Sequence, residues 1–359
     1  MESKLNSFQT RRAFLGTSAA IAGVSMLPSG LSSCSGPTAQ SVAPTANQGS
    51  KFSGVQIGAI TYSWRDQPSG LEDVVRYCRE AGINSIELMC EPLEEFLGAP
   101  KNPTWDLIRK LMEQQPPVAP PQTPSPPQGP RPVMEIPQEI KDAISKYNED
   151  VRGWRLSLDI SKVASAKKLL DDAGIDAHIV KFSPGSWDAE LIDYAYKVTK
   201  AMGAKGVSDE IGEEAVKNMA PIAEKHGMYA IFHNHMQFGE DPNFSYDPFI
   251  AVSDAVRFNF DIGHYFGSTG KNPVDMIKKY HDKIFSIHIK DKTGPTAESP
   301  NSNQVWGQGE TNLAEILLTL KEEKYPIYAD IELEYDIKPW SDSVREVRTC
   351  VQYARNILI

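Results

Sequence analysis

Lys205-Gly-Val-Ser-Asp-Glu210, then Glu213 to His226 with Gly227 behind it, then Tyr229-Ala-Ile-Phe-His-Asn-His235 follow one another almost without a break, and this stretch decides the fold class. The outer pieces are short apolar runs that turn polar at their downstream ends. The middle piece carries apolar residues at helical spacing and ends in a glycine. Strand, helix and strand within about 30 residues form the βαβ unit of a parallel sheet.

The same rhythm extends in both directions. Upstream, Val55 to Ser63 reads as a strand, Leu71 to Ala81 as a helix stopped by Gly82, and Ile83 to Met89 as a second strand. Ser161 to Ala173 is helical with Gly174 as its stop, Ala177 to Phe182 is the third strand, Asp188 to Met202 is helical before Gly203, and Lys205 to Ser208 is the fourth strand. Downstream of the fifth strand come Phe258-Asn-Phe-Asp-Ile-Gly-His264, Ile284-Phe-Ser-Ile-His-Ile-Lys-Asp291 and Ile327-Tyr-Ala-Asp-Ile-Glu-Leu-Glu334. Helices at Asp247 to Ala255, Pro273 to Tyr280 and Leu313 to Glu323 separate them, and Ser341 to Asn356 closes the set. Eight strands predict a (β/α)8 TIM barrel over 51–359 rather than a doubly wound sheet.

One segment departs from the rhythm. Between Gln114 and Pro137 prolines recur too densely for helix or sheet, so 114–137 reads as a Pro-rich insertion after the second strand, in extended or irregular form. It is followed by an amphipathic helix from Gln138 to Asn148. Residues 1–50 read as an address. Thr10-Arg-Arg-Ala-Phe-Leu-Gly16 and the small apolar run to Leu27 resemble a twin-arginine export signal, and Leu31-Ser-Ser-Cys34 resembles a lipoprotein cleavage box with Cys34 as the lipidated residue. The expected location is periplasmic, with membrane contact only through the signal or a lipid anchor.

Lys and Arg number 37 against 47 Asp and Glu, a formal net charge of -10 that repels a phosphate backbone and excludes nucleic acid as an expected partner. Cys78, Cys90 and Cys350 have no metal-site spacing. Two readings stay open for them: buried thiols, or a Cys78–Cys350 disulfide between the first and last helices, which a closed barrel makes neighbours.

In a parallel barrel the strand C-termini converge on one mouth, where active sites are built. His233, Asp261, His264, His288 and Glu332 are polar, metal-competent residues each at the end of such a run. Imidazole and carboxylate together suit one divalent metal such as Mn, Zn, Co or Fe, with His233, Asp261, His288 and Glu332 as expected ligands. Glu210, ending the fourth strand, is an alternative ligand or base, or else a surface carboxylate. Glu334 lies two residues beyond Glu332 and so on the same face. His178, His226 and His281 are expected in surface or capping roles.

Asp261-Ile-Gly-His264, His288-Ile-Lys-Asp291, the Trp306-Gly-Gln-Gly309 turn and Ile331-Glu-Leu-Glu334 resemble, in order and spacing, the xylose isomerase-like TIM-barrel superfamily and its sugar phosphate isomerase/epimerase branch. The resemblance implies that Asp261, His288 and Glu332 bind metal, that His264 and Lys290 contact substrate, and that the Gly307–Gly309 turn shapes the mouth. Taken with the strand-end positions of Glu210, His235 and Glu334, this makes Glu332, Glu210, Lys290 and His264 the expected catalytic residues, and His235, His264, Lys290, Trp306 and Glu334 the expected substrate contacts. The departure lies in the fifth strand. Ketose epimerases of this superfamily carry a metal-binding glutamate there that also acts as an acid/base; here Phe232-His233-Asn234-His235 stands in its place, a pattern similar to that of inosose dehydratases.

The chemistry implied is abstraction of a proton next to a sugar ketone that a dication polarises. Export argues against a phosphorylated substrate, and the missing glutamate argues for a reaction with one base. The expectation is therefore a 3-keto-glycoside lyase that expels the aglycone by β-elimination. Two other expectations stand beside it: an isomerase or epimerase of a non-phosphorylated ketose, and, from another class, a non-catalytic periplasmic sugar-binding lipoprotein. An apurinic endonuclease, which shares the barrel, is disfavoured by the acidic charge and by its need for more metal ligands.

Overall fold

The computed structural model describes residues 49–104, 107 and 137–359. The signal-like segment with Arg11, Arg12 and Cys34, and residues 114–136 of the Pro-rich insertion, lie outside the described residues.

Eight parallel strands form a closed barrel: β1 (Val55–Ile60), β2 (Ser85–Met89), β3 (Asp176–Lys181), β4 (Gly206–Glu210), β5 (Tyr229–His233), β6 (Val256–Asp261), β7 (Ile284–Ile289) and β8 (Tyr328–Ile331). Each pairs with its sequence neighbours, and β8 closes on β1 through Tyr328↔Gln56 and Ile331↔Ala59. Helices surround the barrel, because residues pointing outward from the strands, such as Ile57, Ile86, Val207, Phe258 and Ile287, are apolar and need covering. Among the described residues no helix is long and apolar enough to cross a membrane.

The barrel interior is unusually polar. Ser85, Glu87, His178, Ser208, Asn259, Ser286 and Asp330 are all buried where branched aliphatic residues commonly fill such barrels. His178 corrects its expected surface role: it lies within the barrel, with Nδ1 2.9 Å from Ser85 Oγ and Nε2 2.9 Å from Asp330 Oδ2, its ring stacked on Tyr328. Gly58 faces this pair because any Cβ there would collide with Asp330 Oδ1. His226 and His281 do stand at helix ends, against Asp193 and the Lys278 carbonyl.

Other differences have local causes. The helix expected to end at Asn148 runs from Gln138 to Ser157, since Arg155 pairs with Glu94 through two 2.8 Å bonds and lies over the Trp187 ring, docking the C-terminal half. The helix expected to reach Ala255 stops at Ile250. Among the described residues three short helices were not expected, Cys90–Phe96 directly after β2, Ile262–Thr269 directly after β6 and Gln237–Glu240 after β5. The second corrects the placement of His264, which sits in the first turn of a helix rather than on a strand. Asp261 N-caps that helix, with Oδ1 accepting from the His264 amide at 2.7 Å. Cys78, Cys90 and Cys350 are buried free thiols, which resolves the open pair of readings against a disulfide.

Candidate active site at the barrel mouth

Strands β5 to β8 deliver His233, Asp261, His288 and Glu332 in succession to one point. Their donor atoms lie within 4.8 Å of one another and all four residues are buried. His233 Nε2 is 3.2 Å from Asp261 Oδ2 and 4.0 Å from Glu332 Oε2, and His288 Nδ1 is 2.7 Å from Glu332 Oε2. Metal bonds of about 2.1 Å place donors roughly 3–4 Å apart, so the spacing fits a divalent cation. A second observation agrees. His288 Nδ1 and Glu332 Oε2 are buried without a hydrogen bond of acceptable geometry although they face each other, as expected when two lone pairs are aimed at a shared third partner.

The electrostatics are those of a cation site. Burial alone would raise the carboxyls of Asp261 and Glu332, but neighbouring groups outweigh it: His264 when protonated, together with Lys290, for Asp261, and Lys290 and His288 for Glu332; both are held well below the usual range. His288 is pushed the other way: burial would lower it, yet Glu332 and Glu87 on its two sides raise it well above an ordinary imidazole. Each side of the cluster therefore favours positive charge at His288 Nδ1, whether from a proton or a metal.

Lys290, 3% exposed, connects the cluster to the mouth. Its Nζ lies 2.8 Å from Asp261, 2.9 Å from Glu332 and 2.7 Å from Glu334, and donates to His264 Nε2 at 3.0 Å. Three carboxylates keep it charged despite its burial. His264 is pushed down to about 4 by burial, with Lys290 and Lys292 adding to the effect and Asp261 opposing it, so near neutral pH it is an uncharged imidazole. Trp306 lies in the wall of the cleft beside Lys290, Glu332 and Glu334. The turn that carries it is organised by Asp291, which accepts from the amides of Gly307, Gly309 and Thr311. Gly307 has a φ of 84°, and a Cβ at Gly309 would collide with Asp291 Oδ1, so both glycines are required there.

The β4–β5 side is built differently. Glu210, at the end of β4, accepts from Lys181 at 2.7 Å and lies 3.0 Å from both His233 Nδ1 and His235 Nε2. Burial would raise its carboxyl, but His233, His235 and Lys181 hold it far down. Glu210 therefore contacts a residue of the buried cluster rather than belonging to it. His235 lies two residues beyond β5 and is half exposed, facing His264 across 5.1 Å between ring centroids.

All the expected site residues thus gather at one mouth. Sequence reasoning missed Lys181 and Glu87. Each is the one inward-pointing charge in a short apolar strand, and the only signal was a charged residue in an otherwise buried run.

The family model described as xylose isomerase-like TIM barrel matches residues 75–352. An inosose dehydratase from Clostridium botulinum is 30% identical over 137 residues, which are 34% of this chain and 45% of that protein. The chain thus spans about half the length of the curated relatives it matches. Among solved structures, a sugar phosphate isomerase/epimerase from Parabacteroides distasonis aligns with a TM-score of 0.53 at 16% identity, covering 85% of this chain and 96% of that one. A 3-keto-D-glucoside 4-epimerase from E. coli aligns with a TM-score of 0.51 at 11% identity, covering 84% and 99%. At these identities the structures share the fold.

Proposed function

The chain belongs to the xylose isomerase-like TIM barrel family, and on that footing we propose that it is a divalent-metal-dependent enzyme that removes a proton next to a sugar ketone, acting as a 3-keto-glycoside lyase. The observation that carries this choice is the state of His233. Its Nδ1 is engaged by Glu210 and its Nε2 faces Asp261, so the position where epimerases of this family use a glutamate has no free basic atom. Elimination needs one base, and the opposite side of the cluster retains it.

A divalent metal held by His233, Asp261, His288 and Glu332 would draw electron density from the 3-ketone and acidify the C2 proton. Glu332, kept ionised by Lys290 and His288, takes that proton, and the C2–H electrons form a C1=C2 bond as the C1–O bond breaks. Lys290 and His264 face the sugar oxygens. His235, the most exposed of the site histidines and raised by Glu210, donates a proton to the departing aglycone oxygen, which leaves as an alcohol. The products are the aglycone and an unsaturated keto-sugar or its hydrate.

The amino-terminal segment belongs to the same proposal. Export by the twin-arginine route, with Cys34 lipidated, would place the enzyme in the periplasm, where non-phosphorylated glycosides are the accessible substrates. One observation favours a second reading, epimerisation or isomerisation of a non-phosphorylated ketose: Glu210 lies across the cluster from Glu332 and would have to serve as the second base.

Incubation with a panel of 3-keto-glycosides and free ketoses, with products followed by mass and NMR, decides between them. Aglycone release that is abolished by chelator and lowered by orders of magnitude in Glu332→Gln is expected. Efficient epimerisation of free ketoses with 3-keto-glycosides left intact overturns the lyase.

A further inference from the structure

Glu87 points into the barrel from the middle of β2 and has no exposed surface. A carboxylate so placed must be satisfied from within the protein. Ser208 Oγ donates to Oε1 at 2.6 Å and Asn259 Nδ2 to Oε2 at 2.8 Å, while His288 Nε2 lies 2.7 Å from that same Oε2. The last contact fixes a tautomer. An unprotonated Nε2 would set its lone pair against the carboxylate, so Nε2 carries the hydrogen and donates it. Asn259 Nδ2 is also 2.8 Å from Nε2, but an amide nitrogen only donates, and its acceptor is Glu87.

With Nε2 committed, Nδ1 is the nitrogen of His288 that faces Glu332 and the cluster. The assignment is reversed on the other imidazole, where Nδ1 of His233 meets Glu210 and Nε2 meets Asp261. We propose that Glu87 is a positioning residue for the metal centre: it sets the tautomer and rotation of the His288 ring so that Nδ1 is the ligating nitrogen. Carboxylate partners of this kind orient metal-binding imidazoles and raise their donor strength. The cost of a buried charged layer, where aliphatic side chains would suffice for packing, is consistent with a task beyond stability. Ser208 and Asn259 hold Glu87 in turn, so the layer beneath the mouth serves as a rigid support for one ligand.

This inference rests on the metal site of the proposed function but not on its reaction. Calorimetric titration of the metal-free full chain with Mn2+ and Zn2+ is the test, comparing the unaltered protein with Glu87→Gln and with Ser208→Ala. Glu87→Gln keeps the volume but offers His288 a neutral partner, and about 10- to 100-fold weaker metal binding is expected. Ser208→Ala removes one of the bonds that hold Glu87 but keeps the carboxylate against His288, so a smaller loss of affinity than in Glu87→Gln is expected. A merely structural role would lower the thermal midpoint of the metal-free variant and leave the affinity of its folded fraction unchanged, and that result overturns the proposal. If Glu87→Gln does not fold, 113Cd2+ bound to the 15N-histidine-labelled unaltered protein decides. Coupling to Nδ1 of His288 and Nε2 of His233 supports the assignment; coupling to Nε2 of His288 refutes it. Failure of the unaltered protein to bind any divalent metal would instead defeat the proposed function on which this one stands.

Discussion

Asp261→Asn separates the two tasks of a single side chain. Asp261 Oδ2 belongs to the buried cluster, while Oδ1 caps the Ile262–Thr269 helix through the His264 amide. Asparagine keeps a carbonyl for the cap and removes the charge; alanine removes both. Lys290 retains Glu332 at 2.9 Å and Glu334 at 2.7 Å in either case, so no buried ammonium is stranded. A protein metal site worth on the order of 10–16 kcal/mol over four ligands assigns about 3 kcal/mol to each, or about 100-fold in affinity. At a metal concentration about 100 times its dissociation constant the unaltered protein gains roughly 2.7 kcal/mol, whereas the asparagine variant at the same concentration gains only about 0.4 kcal/mol. Thermal denaturation with and without metal should therefore show a rise of about 5 °C in the first and about 1 °C in the second. Without metal, Asp261→Ala should melt about 2 °C below Asp261→Asn, from loss of a cap worth about 1 kcal/mol. An equal metal-induced rise in the asparagine variant and the unaltered protein would refute the assignment of Asp261 as a ligand.

Three further expectations follow from other parts of the molecule. His264 binds its proton near pH 4 when folded against an ordinary 6.5, so between these values the unfolded chain holds the extra proton and stability falls as pH drops from 6.5 to 4; urea denaturation across that window should flatten in His264→Gln, and an unchanged slope counts against the buried neutral imidazole. Arg155→Met leaves Glu94 buried with the Tyr194 hydroxyl as its remaining side-chain partner among the described residues and should cost about 3–5 kcal/mol, much of it recovered in a double variant with Glu94→Gln, as read from denaturation midpoints. Replacing Arg11 and Arg12 with Lys should leave precursor in the cytoplasm, and Cys34→Ala should release the mature protein from the membrane, both scored by fractionation; membrane association that survives Cys34→Ala rejects the lipid anchor.

The barrel was legible because its local signals agree. Pro273 to Tyr280 and Glu213 to His226 form helices at their expected bounds, with Asn272 capping the first and Gly227, in the left-handed region, ending the second. The mouth was legible too, since each strand from β5 to β8 ends in a residue that can bind metal. The helix at Ile262–Thr269 was hidden by Gly263 and Gly267, which weaken helical propensity. Those glycines are there for packing, because a Cβ on Gly263 would meet the Lys290 side chain and one on Gly267 would collide with Asn301.

The sequence by itself determined the alternation of strands and helices, the eightfold count and the direction in which the site opens, all properties of periodicity and chain order. Only the tertiary structure decided what supports the site. Along an isolated strand, a polar residue flanked by apolar ones, such as Glu87 or His178, is assigned by period-two alternation to a solvent face. Closure of the barrel turns that face inward. Residues far apart in the chain, such as Glu87 and His288 or His178 and Asp330, then become buried partners within 3 Å of each other. Ring closure creates this pairing, and local sequence pattern carries no record of it.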